Sequence, residues 1–371
     1  AHVGYYLIGP GRFEFRAELG YRPTPRERIL DAVLAHPEPL YFGSLTMVWA
    51  ALLTGVLVCA HYLLGEGWSP LLVMGMAMLL PASELAVRLV HQALTSLMPP
   101  RVLPKLDLRR GIPVECATFV VMPSMLVRAD SAQLLTERLE VHYLSNPDPQ
   151  LWFALLTDFA DAPNEHQPED EAYVDDALRR IRALNERYCR HGPPRFFLFH
   201  RRRKFNPLQN CWMAWERKRG KLNEFNRLLR GALDTSFTVA SGDLEPLPRI
   251  RYVITLDADT QLPRETARRL VGALDHPLNR PRFEVRAGRV VDGYGVLQPR
   301  VSFELVSAHR TRFSRLWSKS AGLDPYTTAS SDVYQDLFGR GSYIGKGIYD
   351  VDAFEAAVGR TFPENQVLSH D

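Results

Sequence analysis

The chain has 371 residues and a formal net charge of +3, with 45 Lys and Arg against 42 Asp and Glu. This near balance of charge gives no support to a protein that binds nucleic acid over a broad basic surface. The four cysteines are scattered without paired metal spacing, which favours a reducing compartment over a disulfide framework. Residues 1–40 lack the apolar core of a cleaved signal peptide. Because the chain begins at Ala1 and ends within a motif, we interpret it as a piece of a longer protein.

Two apolar runs near the amino terminus predict a transmembrane hairpin. Residues 44–64 carry no formal charge over a length that spans hydrocarbon, which favours a membrane helix over a buried core helix. Residues 70–98 are also apolar, but a proline and two charges interrupt them. Those charges, Glu84 and Arg88, are four residues apart and are expected to pair on one helical face. Lys and Arg flank the two runs and are absent from the turn at residues 65–69, so the positive-inside rule places both ends in the cytoplasm.

After a proline-marked linker at residues 99–116, strands and helices alternate along the chain. Such alternation predicts a parallel α/β sheet. The first predicted strand is closed by Pro123 and Ser124, and the second ends at Thr157 and Asp158. The predicted elements are, in chain order, a strand at 117–122, a helix at 131–146 with Ser131 as its cap, a strand at 151–156, an acidic loop at 160–171, a helix at 175–188 and a strand at 196–200.

Two basic segments follow the third predicted strand. Residues 201–204, RRRK, support a solvated loop and a functional basic loop about equally. They make a poor nucleic-acid interface, because no aromatic residues interleave with them at repeated spacing. Residues 218–221, KRGK, precede an apolar helical face and are expected to break the helix at Gly220. Backbone donors and the helix dipole at such a turn suit an anion.

Residues 251–262, RYVITLDADTQL, form the stretch around which the chain is organised. Residues 252–256 are apolar, aromatic or β-branched and predict a buried strand that stops at Asp257 and Asp259. Magnesium and manganese bind one or two such carboxylates together with nucleotide phosphates. Ligands also bind at the carboxyl ends of strands in open α/β sheets. The stretch therefore predicts a metal–diphosphate site, although Asp-x-Asp alone would favour a simple acidic turn.

The order of these motifs resembles that of membrane-embedded, family-2-like glycosyltransferases of GT-A fold. The sequence itself most resembles the glycosyltransferase region of the cyclic β-1,2-glucan synthases, glycosyltransferase family 84. This resemblance extends from HVGYYLIG near residue 2 to the last residue. The segments that carry this resemblance are WERKRGKLNEFNRLLRG, YVITLDADTQLPR, RPRFEVRAGRVVDGYGVLQPRV, GKGIYDVDAFE and PENQVLSHD. The resemblance implies an α/β, GT-A (Rossmann-like) cytosolic domain attached to a transmembrane helical hairpin.

The predicted organisation has four parts. Residues 1–43 form a cytoplasmic approach segment, 44–98 two transmembrane helices, 99–116 a linker or interfacial segment, and 117–371 an incomplete GT-A domain. In the family that the chain resembles, this region is one part of a longer multi-pass protein of the bacterial inner membrane. The resemblance therefore implies further transmembrane and phosphorylase-like regions in the same polypeptide, with the catalytic domain in the cytoplasm.

The same resemblance implies a processive, inverting glucosyltransferase that uses UDP-glucose to extend a β-1,2-glucan. Nucleic acid is not among the implied partners. In this sequence His370 stands where related synthases have Glu beside the general base. The implied site residues are Pro123, Ser124 and Asp158 for uracil and ribose, Lys218 for the diphosphate, Asp257 and Asp259 for the nucleotide and its Mg²⁺ or Mn²⁺, Gly345, Lys346 and Gly347 for the acceptor channel, and Asp371 as the general base.

Local sequence leaves several alternatives open. From local sequence alone, Asp371 is better explained as an N-cap or turn residue than as a general base. Residues 345–354 are also consistent with a glycine turn before a helix that is capped by Asp350 or Asp352. Alternative functions are synthesis of another membrane β-glycan, hexosyl transfer to a lipid phosphate, or an inactive nucleotide-binding membrane module. Three tryptophans are candidates for stacking on sugar rings, although each favours the core: Trp212, Trp215 and Trp317.

Overall fold

The structure is a computed structural model whose contacts divide the chain into two compact units. One unit contains Ala1–Gly9, Leu103–Pro299 and Tyr343–Asp371, and the other contains Pro10–Val102 and Arg300–Ser342. Asp371 and Trp317 lie outside the described residues. The structure describes residues 3–9, 11–65, 67–98, 100, 102–242, 244, 249–284, 286, 288–301, 311–312, 332–339, 341, 343–359, 361 and 363.

The strands of the described residues all belong to the first unit. They are β1 Thr118–Leu126, β2 Leu151–Phe159, β3 Phe196–Arg201, β4 Lys204–Asn206, β5 Cys211–Met213, β6 Phe237–Ala240, β7 Tyr252–Thr255, β8 Arg282–Glu284, β9 Arg289–Asp292, β10 Val296–Leu297 and β11 Gly347–Asp350. Seven of them form one sheet in the order β10-β11-β7-β1-β2-β3-β6. The four central strands, β7, β1, β2 and β3, are parallel, and β6, β11 and β10 join antiparallel at the edges.

The helices of the described residues are α1 Val3–Leu7, α2 Arg12–Glu18, α3 Pro25–Ala35, α4 Pro37–Leu64, α5 Trp68–Leu97, α6 Ser131–Ser145, α7 Asp170–Tyr188, α8 Arg217–Leu229, α9 Thr266–Leu274, α10 Val333–Phe338 and α11 Val351–Val358, with a 3₁₀ turn at Val114–Cys116. In the first unit they cover both faces of the sheet. Along β1, Val120 and Met122 face the core beneath α6, α7 and α9, while Phe119 and Val121 face the core beneath α8. Burial on both faces is typical of parallel sheets and confirms the predicted mixed α/β, Rossmann-like arrangement.

The first two strands extend past the ends that the sequence predicts. β1 continues through Pro123 and Ser124 to Leu126, and β2 continues through Asp158 to Phe159. Beyond Val121, β1 pairs with β2 but no longer with β7. A strand with one open side tolerates a proline, so Pro123 does not end β1.

The basic segment after β3 is not a solvated loop. Arg201 is fully buried, Arg203 is 4% exposed, and both pair with carboxylates of the interior. Only Arg202 of the three arginines is exposed. The strand periodicity explains this, because alternate residues of an extended segment point in opposite directions.

The second unit contains two helices that are long and apolar enough to cross a membrane. They cover Pro37–Tyr62 and Ser69–Leu97, with mean hydropathies of 1.9 and 1.7 in their most apolar stretches. Of the residues in those stretches, 0% and 11% are buried. The predicted pair is present, with Arg88 Nη2 2.6 Å from Glu84 Oε1. Pro81 lies inside α5 without ending it.

Candidate functional site

The first turn of α8 reaches two aspartates at the carboxyl edge of the sheet. Lys218 and Lys221 are three residues apart and therefore lie on one side of the helix. Lys218 Nζ lies 2.5 Å from Asp257 Oδ1, and Lys221 Nζ lies 2.9 Å from Asp158 Oδ2. Asp257 follows β7 and Asp158 lies near the end of β2, the strands on either side of β1. One helical turn thus joins two of the carboxylates that the resemblance assigns to the donor.

A tight turn and a glycine fix the start of α8. Glu216 and Arg217 have positive φ angles of 50° and 48°, a conformation that is uncommon for residues with side chains. Gly220 follows inside the helix, where a Cβ would approach the Trp215 carbonyl oxygen to 2.2 Å. The prediction that Gly220 breaks the helix is wrong. Its lack of a side chain instead lets the first turn pack closely against the preceding segment.

Asp158 belongs to a buried cluster of opposite charges. Arg201 donates to its two carboxylate oxygens at 2.8 and 3.0 Å and to Glu224 at 3.0 Å. With Lys221 the cluster contains two cations and two carboxylates, and each of the four side chains is at most 3% exposed. Burial raises the pKa of Asp158, but Lys221 and Arg201 outweigh burial and hold this pKa below its usual value. Asp158 is therefore ionised and neutralised from within the fold.

Asp257 is held between two lysines. Lys346 Nζ lies 2.5 Å from Oδ2, while Lys218 Nζ lies 2.5 Å from Oδ1. Burial raises the pKa of Asp257, but the hydrogen bonds from Lys218 and Lys346 outweigh it, so the pKa stays below its usual value. Both oxygens of the Asp257 carboxylate therefore contact an ammonium group.

Two glycines direct Lys346 towards Asp257. Gly345 adopts a φ of 77°, which suits glycine. At Gly347 a Cβ would lie 2.3 Å from the Leu297 carbonyl oxygen, because β11 runs directly against β10. On its other side β11 pairs with β7. This pairing places the residue before β11 beside the carboxylate that follows β7.

One side of α6 holds the loop that follows β7. The Arg138 guanidinium donates to the carbonyl of Ala258, the residue between the two aspartates of the motif. His142 Nδ1 accepts from the backbone N–H of Leu262 at 3.4 Å, and Asn146 Nδ2 donates to the Leu262 carbonyl at 3.3 Å. Burial lowers the pKa of His142 to about 4, so the ring is neutral and can accept. The spacing of four residues aligns Arg138 and His142 on α6, and Asn146 caps the carboxyl end of that helix.

The structure brings the predicted donor residues together in two groups. The Ser124 carbonyl accepts from Lys221 at 2.6 Å, which places Pro123 and Ser124 beside the Asp158 cluster. Asp259 is exposed at the carboxyl edge of the sheet. The roles assigned to these residues, and to Asp371, stay predictions. The second group consists of Lys218 and Asp257, and it also includes Lys346, which the resemblance assigns to the acceptor channel instead.

Sequence reasoning missed the partners of the two aspartates. The spacing of Lys218 and Lys221 was a readable signal, since residues three apart share a helix face. Arg201 gave no such signal, because nothing in the basic run of residues 201–204 distinguishes a buried arginine from an exposed one. Of the candidate sugar platforms, Trp212 packs on Phe205 with ring centroids 5.7 Å apart. The Trp215 ring centroid lies 5.6 Å from Lys204 Nζ, and Trp215 lines a cavity of about 350 Å³. Whether either tryptophan stacks on a sugar stays a prediction.

Comparison with known proteins places this geometry in context. No protein-family model matches the chain. The chain is similar to the cyclic beta-(1,2)-glucan synthase NdvB of Rhizobium meliloti (strain 1021), with 40% identity over 378 aligned residues. The alignment covers 100% of this chain and 13% of that protein, so the chain spans a small part of the length of the relative that it matches.

Proposed function

This chain belongs, as one region, to the cyclic β-1,2-glucan synthases, and from that premise we propose that it is the glucosyltransferase region of such an enzyme. It transfers glucose from UDP-glucose to a growing β-1,2-glucan, processively and with inversion at C1. The observation that carries the proposal is the first turn of α8, which holds Asp158 with Lys221 and Asp257 with Lys218. A nucleoside diphosphate sugar suits such a site, because its charge lies in the diphosphate between two uncharged sugars.

The diphosphate binds at the amino-terminal turn of α8. Backbone N–H groups and the helix dipole favour an anion there, and the ammonium group of Lys218 adds a full positive charge. Uracil and ribose bind beside Pro123, Ser124 and Asp158. Arg201 and Lys221 already pair with Asp158 inside the fold, so this part of the site supports an uncharged base and sugar.

Asp257 and Asp259 are the residues that would hold a divalent cation. Their oxygen donors fit a hard cation such as Mg²⁺ or Mn²⁺. Within the described residues no group of three or more His, Cys, Asp or Glu is arranged to bind a metal. Cations of this kind are commonly held by one or two carboxylates together with substrate phosphates. When bound, the cation would supply charge stabilisation for the departing diphosphate. The lysines that contact Asp257 supply positive charge to the same group.

Transfer is a single displacement at C1 of the donor glucose. The oxygen of the acceptor hydroxyl forms the new bond to C1, the bond from C1 to the diphosphate breaks, and UDP leaves. The hydroxyl proton passes to a carboxylate, for which Asp371 is the candidate. A general base at this position contributes roughly 10²–10⁴-fold to the rate.

α4 and α5 form a transmembrane hairpin in this proposal. Their length and apolar composition fit two passes through the bacterial inner membrane. Both ends of the hairpin then lie in the cytoplasm, where nucleotide sugars are available. A membrane attachment in the same polypeptide keeps the transferase, and with it the growing polymer, at the membrane.

The test measures UDP-glucose binding and glucan formation in membranes that contain the protein. The parent should form β-1,2 linkages, as determined by linkage analysis. Asp257→Asn should lose both binding and transfer, whereas Asp371→Asn should keep donor affinity within a few-fold and lose roughly 10²-fold in turnover. Asp352→Asn, at a carboxylate that is 73% exposed, is the matched control and should behave as the parent. A different linkage in the product, or a parent that does not bind UDP-glucose, would refute the proposal.

A further inference from the structure

Lys346 shares a carboxylate with the proposed diphosphate-binding lysine. Its Nζ lies 2.5 Å from Asp257 Oδ2, and Lys218 Nζ lies 2.5 Å from Oδ1. Both lysine side chains are 15% exposed. The resemblance assigns Lys346 to the acceptor channel, but its ammonium group lies on the same aspartate as Lys218. Its position therefore points to the donor rather than to the acceptor.

The two lysines approach Asp257 from separate elements with fixed backbones. Lys218 comes from the first turn of α8, where close packing at Gly220 fixes the helix. Lys346 comes from the turn before β11, which is held between β7 and β10. Lysine carries its charge at the end of a flexible four-carbon stem. The backbones thus stay in place while both ammonium groups can move by a few ångströms.

We propose that Lys346 is a second diphosphate-binding residue of the donor site. In the absence of nucleotide, Lys218 and Lys346 both pair with Asp257. A divalent cation held by Asp257 would repel both ammonium groups, which would then pair with the oxygens of the diphosphate. Lys346 thereby competes with the cation for Asp257 and cooperates with it in binding the diphosphate. This inference rests on the proposed function, since it assumes a nucleoside diphosphate donor.

Binding measurements separate this role from the acceptor role and from a structural one. UDP and uridine binding are measured by calorimetry with Mg²⁺, and Mn²⁺ binding without nucleotide by electron paramagnetic resonance. Lys346→Met should weaken UDP binding by about tenfold or more, the scale of a charge-assisted hydrogen bond, and leave uridine binding unchanged. Mn²⁺ should bind at least about twofold more tightly, because a competing positive charge is gone. Lys346→Arg should recover part of the UDP affinity.

The controls make each outcome decisive. Lys105→Met removes one exposed charge elsewhere in the same unit and should change none of these affinities. UDP affinity that is unchanged in Lys346→Met, while the parent binds UDP, overturns this inference and leaves the proposed function standing. Loss of both UDP and Mn²⁺ binding assigns Lys346 a structural role and also overturns the inference. A parent with no affinity for UDP refutes the proposed function and this inference together.

Discussion

The guanidinium of Arg201 forms two hydrogen bonds, of 2.8 and 3.0 Å, with the carboxylate of Asp158 inside the fold. Arg201 begins a run of basic residues that resembles an exposed loop in the sequence. Its side chain is nevertheless completely buried. A buried charge needs a partner of opposite sign, and two carboxylates, Asp158 and Glu224, meet that requirement.

Replacing Arg201 should therefore destabilise the protein, in contrast to replacing its neighbour. Arg201→Ala removes the buried cation that Asp158 and Glu224 share, and leaves Lys221 on Asp158 and the half-buried Lys204 on Glu224. Breaking a buried pair in this way costs about 3–5 kcal/mol. Arg202→Ala, at an exposed position, should change the stability by less than about 0.5 kcal/mol. Thermal unfolding of both variants in detergent measures the difference. Equal stabilities of the two variants would show that the buried pair does not stabilise the fold.

Arg138 should position the aspartate motif without contributing to stability. The Arg138 side chain is exposed, and its guanidinium donates to the Ala258 carbonyl. Arg138→Ala should loosen the turn between Asp257 and Asp259 and raise the KM for the donor by about tenfold, the value of one charge-assisted hydrogen bond. Arg128→Ala, at another exposed arginine, is the control. A donor KM in Arg138→Ala equal to that of the control would exclude a positioning role.

Mild acid should destabilise the protein through two buried histidines. Burial lowers the pKa values of His142 and His200 to about 4, whereas an unfolded histidine titrates near its ordinary value of 6.5. Between these values the unfolded state binds more protons than the folded state. The free energy of unfolding should therefore fall as the pH drops from about 6.5 towards 4, by roughly 1 kcal/mol per pH unit for each histidine.

The measurement is thermal unfolding at several pH values across that window. His142→Asn keeps an acceptor for the Leu262 N–H and cannot titrate, so the pH dependence should become shallower. His191→Asn removes an exposed histidine and should leave the pH dependence as it is in the parent. If all three proteins show the same pH dependence, His142 does not contribute to acid sensitivity.

The proposed membrane hairpin predicts which cysteines a membrane-impermeant maleimide can label in intact cells. Gly67→Cys lies in the turn between α4 and α5 and should be labelled from the periplasm. Gly67 is preferred to Gly65, because Gly65 has a positive φ of 63° that a cysteine would strain. Lys105→Cys should be labelled only after lysis. Native cysteines are first replaced by serine, and periplasmic labelling at position 105 would contradict a cytoplasmic transferase.

Local patterns in the sequence predicted the elements that depend on local forces. The apolar runs before Asp158 and Asp257 predicted β2 and β7, and the strand–helix alternation predicted a parallel sheet. Periodicity and hydrophobicity act over a few residues, so the sequence displays them directly. The sequence did not predict where β1 ends, because Pro123 reads as a strand terminator. The strand continues past Pro123 because it is still paired with β2 there and no longer with β7.

Pairings between distant segments were decided by the tertiary structure alone. The sequence by itself determined that Asp257 ends a buried strand and that Lys218 belongs to a basic turn that opens a helix. Only the antiparallel insertion of β11 beside β7 placed Lys346 on the same carboxylate. Only the packing of α8 against the sheet buried Arg201 with Asp158. Such contacts depend on the order of the strands in the sheet. That order is determined by the free energy of the whole fold and not by that of any one segment.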